Sequence, residues 1–282
     1  MGLWIFTSDL HGHPPFYAAL ERLASEAHPS VVILGGDLAP HGSGKEGVAR
    51  QREFFDGPFR ETAERLRRDT PSLRLFVLLG NDDWRTNLDV LEREDGGLWT
   101  LLHERALSLG PDEGNLFLAG LSWVPITPFL QKDWERWDVH DAPPGLRMEG
   151  MVSRDGGIEQ FQFGEPCPGE TIADALDRLA ELSPPERTVY ALHTPPHETN
   201  CDKMNGGAHV GSRAFRRFLE KHQPPLSLSG HIHEAPRVSG HYRDRVGKTV
   251  VVNPGQFEAK QFCAVIFDPL RIADTMRHTV RG

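Results

Sequence analysis

Leu3-Trp4-Ile5-Phe6-Thr7-Ser8-Asp9-Leu10-His11 is an apolar run of strand length that stops at an acid and an imidazole. The construction recurs. Val31-Val32-Ile33-Leu34 runs into Gly35-Gly36-Asp37, and the run from Leu73 to Leu79 into Gly80-Asn81-Asp82-Asp83. Between them, Phe16, Leu20 and Leu23 recur at helical spacing up to Ala27, and Phe54, Phe55, Phe59 and Leu66 mark one face of a charged helix over 45–68. Strand, turn and helix in succession predict a parallel sheet in an α/β layer.

The second half repeats the theme. Thr188 to Leu192 reads as a strand ending at His193, and Leu226 to Ser229 as a strand ending at Gly230-His231-Ile232-His233. Ser212 is placed to cap a helix whose Phe215, Phe218 and Leu219 share a face. Thr249 to Val252 and Phe262 to Phe267 are β-rich and suit an antiparallel part of a second sheet. Residues 122–168 read as an irregular insertion rich in Pro, with Trp123, Trp134 and Trp137 packing against the body. The length of 282 residues then resolves toward a single domain, 1–282, carrying that insertion.

Composition excludes several classes. The formal charge of -9 argues against a protein that coats nucleic acid, and the Arg65, Arg67, Arg68 and Arg213, Arg216, Arg217, Lys221 clusters read as solvated helix faces. No apolar run approaches the roughly 20 residues of a membrane span. Cys167, Cys201 and Cys263 form no CxxC pair, so a reducing cytoplasmic setting is expected.

The chemistry lies at the strand ends. In open α/β sheets, ligands gather outside the carboxyl ends of the strands. Five such ends offer Asp9, His11, Asp37, Asn81, His193, His231 and His233 to one crevice. This mixture of imidazole and oxygen donors without thiolates suits a borderline divalent metal such as Mn, Fe or Zn. Glycines before Asp37, Asn81 and His231 permit sharp turns and close backbone approach.

In this order, the residues resemble the calcineurin-like metallophosphoesterase superfamily, whose pattern is Asp-x-His, Gly-Asp, Gly-Asn-His-Asp/Glu, His and Gly-His-x-His. His193-Thr194-Pro195-Pro196, His209-Val210-Gly211-Ser212 and Val251-Val252-Asn253-Pro254-Gly255 look like its small, stand-alone prokaryotic phosphoesterase branch. The resemblance implies a four-layer α/β/β/α sandwich of two mixed sheets flanked by helices. It implies one metal on Asp9, His11, Asp37 and His233 and a second on Asn81, His193, His231 and the shared Asp37. The ions would be Mn, Fe, Zn or Ni, with Mn favoured, and a hydroxide held between them would attack a small phosphodiester or phosphomonoester in line. A homodimer is compatible with it.

One departure stands out. The family commonly carries His directly after the motif Asn, where this chain has Asp82. Either Asp82 or His13 is then expected to take that catalytic place, and Asp83 to hydrogen-bond a ligand His. His197, Asn200 and His209, in the loop after His193, are candidate substrate contacts. The alternatives are a nuclease of the same superfamily, or a metal-containing scaffold or sensor that Asp82 leaves with little catalysis.

Overall fold

The computed structural model describes residues 2–140, 147–155, 157–163, 169–256 and 261–281. Alternation along the first strand, β1 (Trp4–Thr7), sets the layering, because successive side chains leave opposite faces. Trp4 and Phe6 join Val31, Ile33, Phe76 and Leu78 in a buried cluster with Leu118, Val189, Ala191, Leu226 and Leu228. Ile5, Val32, Leu34, Leu75 and Val77 instead pack with Phe16, Leu20, Ala63 and Leu66. One set of faces therefore meets a second sheet and the other meets helices.

The remaining strands are β2 (Val31–Gly35), β3 (Arg74–Leu78), β4 (Thr100–Leu101), β5 (Arg105–Ser108), β6 (Phe117–Leu121), β7 (Met148–Arg154), β8 (Gly157–Phe163), β9 (Thr188–Leu192), β10 (Leu226–Leu228), β11 (Arg243–Val246), β12 (Thr249–Val252), β13 (Phe262–Phe267) and β14 (Arg277–Arg281). The helices are α1 (Pro14–Ala27), α2 (Gly44–Phe54), α3 (Arg60–Asp69), α4 (Leu88–Glu92), α5 (Ile172–Glu181), α6 (Arg213–His222), α7 (Ala235–Ser239) and α8 (Ile272–Thr275). One sheet has the order β14-β13-β1-β2-β3-β4, the other β11-β12-β10-β9-β6-β5. The first is parallel from β1 to β4 and antiparallel on its β13–β14 side, and the second has a parallel centre and two antiparallel edges. This is the four-layer sandwich of two mixed sheets.

Three sequence expectations need correction. Phe262–Phe267 does not join the second sheet; it returns to the first and pairs antiparallel with β1, Trp4 opposite Phe267. Thr249–Val252 does lie in the second sheet, parallel to β10 and antiparallel to β11. The helix expected over 45–68 is α2 and α3 joined by a π-helical turn, Phe55–Phe59, that contains Pro58. Proline has no N–H to give the helical ladder, and the wider turn accommodates the gap. The stretch read as irregular carries the hairpin β7–β8, with Arg154 opposite Gly157. Its strand β8 has no buried residue, and neither strand shows the clean alternation that marks a half-buried strand.

Ser212 caps α6 as expected, its Oγ accepting from Phe215 N at 2.9 Å. Gln256 ties the end of β1 to the start of β13, its Nε2 donating to Ser8 O at 2.8 Å and Cys263 O at 3.2 Å. Cys201 and Cys263 are buried, and Cys167 lies outside the described residues. No helix among the described residues is long and apolar enough to cross a membrane.

Candidate metal centre

The loops after β1 and β2 zip together beyond the sheet. Asp9 N donates to Gly36 O at 2.9 Å, His11 N to Asp37 O at 2.9 Å and Gly12 N to Leu38 O at 2.7 Å. Opposite them, His193 N donates to Leu121 O at 3.0 Å and Gly230 N to His193 O at 3.0 Å, which brings the ends of β6, β9 and β10 to the same edge. Asp9, His11, Asp37 and His231 all sit at positive φ, between 45° and 65°. Such backbone costs a non-glycine residue about 1–3 kcal/mol and persists where the surroundings over-determine it. Two glycines are required by crowding: a Cβ on Gly80 would collide with Asp37 and His193, and one on Gly230 with Ser8 and Asp9.

Three donor groups result among the described residues, two of which share Asp37; the third is His11, His41 and Asp82. Asp9, His11, Asp37 and His233 present ligand atoms within 4.8 Å of one another, and so do Asp37, His193 and His231; Asp37 belongs to both. His193 Nε2 lies 3.3 Å from Asp37 Oδ2 and 3.1 Å from Asn81 Oδ1. Its Nδ1 lies 2.8 Å from the carbonyl of Gly35, so an N–H donated there leaves Nε2 facing the cluster. His233 Nε2 lies 3.3 Å from Asp9 Oδ1 and 3.1 Å from His11 Nε2.

The electrostatics are those of a cluster balancing its own charge. Burial opposes the charged forms of His193 and His233, yet Asp37 raises the first to about 9 and Asp9 the second to about 9. Burial lowers His11 and His231 to about 4. Against the effect of burial, His193 holds Asp37, and His233 holds Asp9, below the usual carboxylate range. Two imidazole nitrogens at 3.1 Å, two buried carboxylates, and a buried His11 Nδ1 without a hydrogen-bond partner among the described residues fit divalent cations well.

Residues 4–235 match the sequence profile of the calcineurin-like phosphoesterase. The chain belongs to that family. The comparison with curated proteins finds no match. Among solved structures, a dimetal phosphatase from Danio rerio is similar at TM-score 0.56 and 14% identity, with 100% of this chain and 96% of that one covered. A protein of Thermus thermophilus is similar at TM-score 0.59 and 15% identity, covering 99% and 98%. At such identities the likeness speaks for the fold, which is that of the metallo-dependent phosphatases.

The departure at Asp82 has a structural counterpart that the sequence reading missed. His41, in the loop after Asp37, places Nδ1 2.7 Å from Asp82 Oδ2 and stacks on the His11 ring at 3.9 Å between centroids. Its hydrogen bond with Asp82 raises the His41 pKa. A His four residues past the motif Asp, between Pro40 and Gly42, was the available signal. His13 lines the same cavity of about 400 Å³ as Asp9, His11, His41, His233 and Arg237, with its ring against Phe16.

Asp83 does not hydrogen-bond a ligand His. It is fully buried and accepts from the amides of Leu38, Ala39 and Gly80, fixing the loops that carry Asp37 and Asn81. Burial, with the neighbouring Asp37 charge, raises its pKa to about 7. His197 and His209 flank buried Asp202, with His209 Nδ1 at 2.6 Å, and Asn200 N donates to Asp244. Neither His197 nor His209 belongs to the donor groups.

Proposed function

We propose that the chain is a binuclear-metal-dependent phosphoesterase acting on a small phosphodiester or phosphomonoester. The observation that carries this reading is the pair of donor groups sharing Asp37. Asp9, His11, Asp37 and His233 would hold one ion, and Asp37, Asn81, His193 and His231 the other, with Mn the favoured metal. When bound, the ions would supply Lewis acidity toward the phosphoryl group and activation of water near neutral pH.

The protein's own contribution is placement. Asp83 pins the two acid-bearing loops through backbone amides, and Asp82 N holds Asp37 Oδ1 at 2.7 Å. The Asp82–His41 pair stands at the cavity where a phosphate would rest, so His41 supplies the imidazole that the family carries directly after its Asn. It would bind and orient the phosphate by N–H donation. His13, packed on Phe16, serves as the cavity wall.

Mn-loaded protein is expected to hydrolyse an aryl phosphodiester or phosphomonoester. Asp37→Asn is expected to lower kcat/KM roughly a thousandfold, the loss of several kcal/mol of transition-state stabilisation. Retention of wild-type rates by that variant, or two bound metals without turnover over a broad phosphoester panel, would sink the reading.

A further inference from the structure

A second cavity, of about 570 Å³, is lined by Arg85, Thr86 and described residues between Trp123 and Glu170, and shares no lining residue with the cavity at His11. Its size falls among small-molecule sites, roughly 300–1,000 Å³. Phe161 and Phe163, half-buried on β8 with ring centroids 4.9 Å apart, form one wall together with Trp137. The Trp137 indole N–H is buried and has no acceptor among the described residues. A buried donor left unmet costs free energy, and a ligand with an acceptor would relieve it.

Charge points the same way. Arg85 lines the cavity, lying over the faces of Trp123 and Trp134 at 5.2 and 5.4 Å, and its guanidinium pairs with no carboxylate among the described residues. The buried carboxylates of the lining are already engaged, Asp133 by Ser153 and the Arg85 amide, Glu135 by Lys132. Glu170, also on the lining, is held by Arg136 at 2.6 Å. Arg154, also on the lining, lies 3.7 Å from Glu159, which leaves Arg85 as the uncommitted cation among the described lining residues.

The cavity is also close to the metal centre. Arg85 follows Asn81 by four residues, at most about 14 Å of chain. Trp134 Nε1 donates to Asp83 O at 2.7 Å. Leu121 pairs with Leu192, so Trp123 leaves β6 at the edge where His193 leaves β9.

We propose that this cavity is the subsite for the ester group of the substrate, and that the group it takes is a flat aromatic ring carrying its own negative charge. Phe161, Phe163 and Trp137 receive the ring, and Arg85 receives the charge. The proposal rests on the phosphoester reading of the metal centre, and narrows it to aromatic, anionic esters.

The probe is 1-naphthalenesulfonate, which cannot be hydrolysed, titrated into the full Mn-loaded chain by tryptophan fluorescence. Saturable binding with one site per chain is expected, with inorganic sulfate and neutral 1-naphthalenemethanol each weaker by at least about tenfold. Arg85→Ala and Phe161→Ala are expected to weaken it by a similar factor, while Asp37→Asn leaves it intact. The probe should compete with bis(4-nitrophenyl) phosphate, and Phe161→Ala should raise KM for that ester, whose rings are neutral, with kcat little changed. Wild-type affinity in both cavity variants, or inhibition that is not competitive, overturns the subsite. Absence of all phosphoester hydrolysis overturns the reading of the metal centre instead, and shows separately because the titration needs no turnover.

Discussion

The metal centre and the Trp-rich segment beside it both bury charge, in opposite ways. Around Lys132 every charged atom is met: Nζ donates to Glu135 Oε2 at 2.8 Å and Thr127 O at 2.7 Å, with both ionic side chains fully buried. Asp133 is likewise satisfied by the backbone and hydroxyl of Ser153 and by the Arg85 amide. Around Asp37 the groups are crowded, the backbone is strained, and imidazole nitrogens face one another. A satisfied buried network holds a segment in place, whereas a cluster left with facing lone pairs is arranged for something that is not protein.

This contrast can be broken by experiment. Removing one partner of the satisfied pair should be costly: Glu135→Ala is expected to destabilise the fold by about 3–5 kcal/mol, read by denaturant unfolding. Replacing both partners, as in Lys132→Met with Glu135→Leu, should recover much of that loss. An unchanged midpoint in Glu135→Ala would remove the distinction drawn here. At the other cluster, Mn supplied at about 100 times its dissociation constant should stabilise the wild type by about 2.7 kcal/mol. The same Mn should leave Asp37→Asn almost unmoved, and an equal gain in both chains would place the cation elsewhere.

The smallest expected effect concerns His103, set between Trp123 and Trp134 and accepting from Ser122 N. Burial lowers its folded pKa to about 4 from 6.5. The unfolded chain therefore takes up the proton first as pH falls. Its contribution is complete above about pH 6.5 and is lost between there and pH 4, worth about 1–2 kcal/mol because the ring keeps some solvent contact. His103→Gln should flatten the pH dependence of stability in that window by this amount, and an unchanged slope would assign the dependence to other groups.

Much of the architecture was legible because it depends on local pattern. Apolar runs ending in Asp9, Asp37, Asn81, His193 and His231 are visible in one dimension, and the sheets bring those ends to one edge. What escaped reading depends on partners distant in sequence. Phe262–Phe267 has the composition of a strand, but nothing local says that its partner is β1. The charges of Lys132, Asp133 and Glu135 carry no local sign of burial, and the Thr127 and Ser153 contacts make it tolerable. His41 sits in a turn of ordinary composition, and its meaning comes from Asp82, a residue on another strand's loop.

The pairing of β1 with β13 has a consequence for how the molecule is assembled. The strand that leads into Asp9 has β2 on one side early in synthesis, but its other edge stays open until residues 262–267 emerge. Gln256 then joins Ser8 O to Cys263 O across the same seam. Contacts of such long sequence separation form late and slowly. The crevice is thus completed by the last part of the described chain to be made, and a nascent chain lacking that part carries an exposed strand edge beside its acids, a hazard for association with other chains.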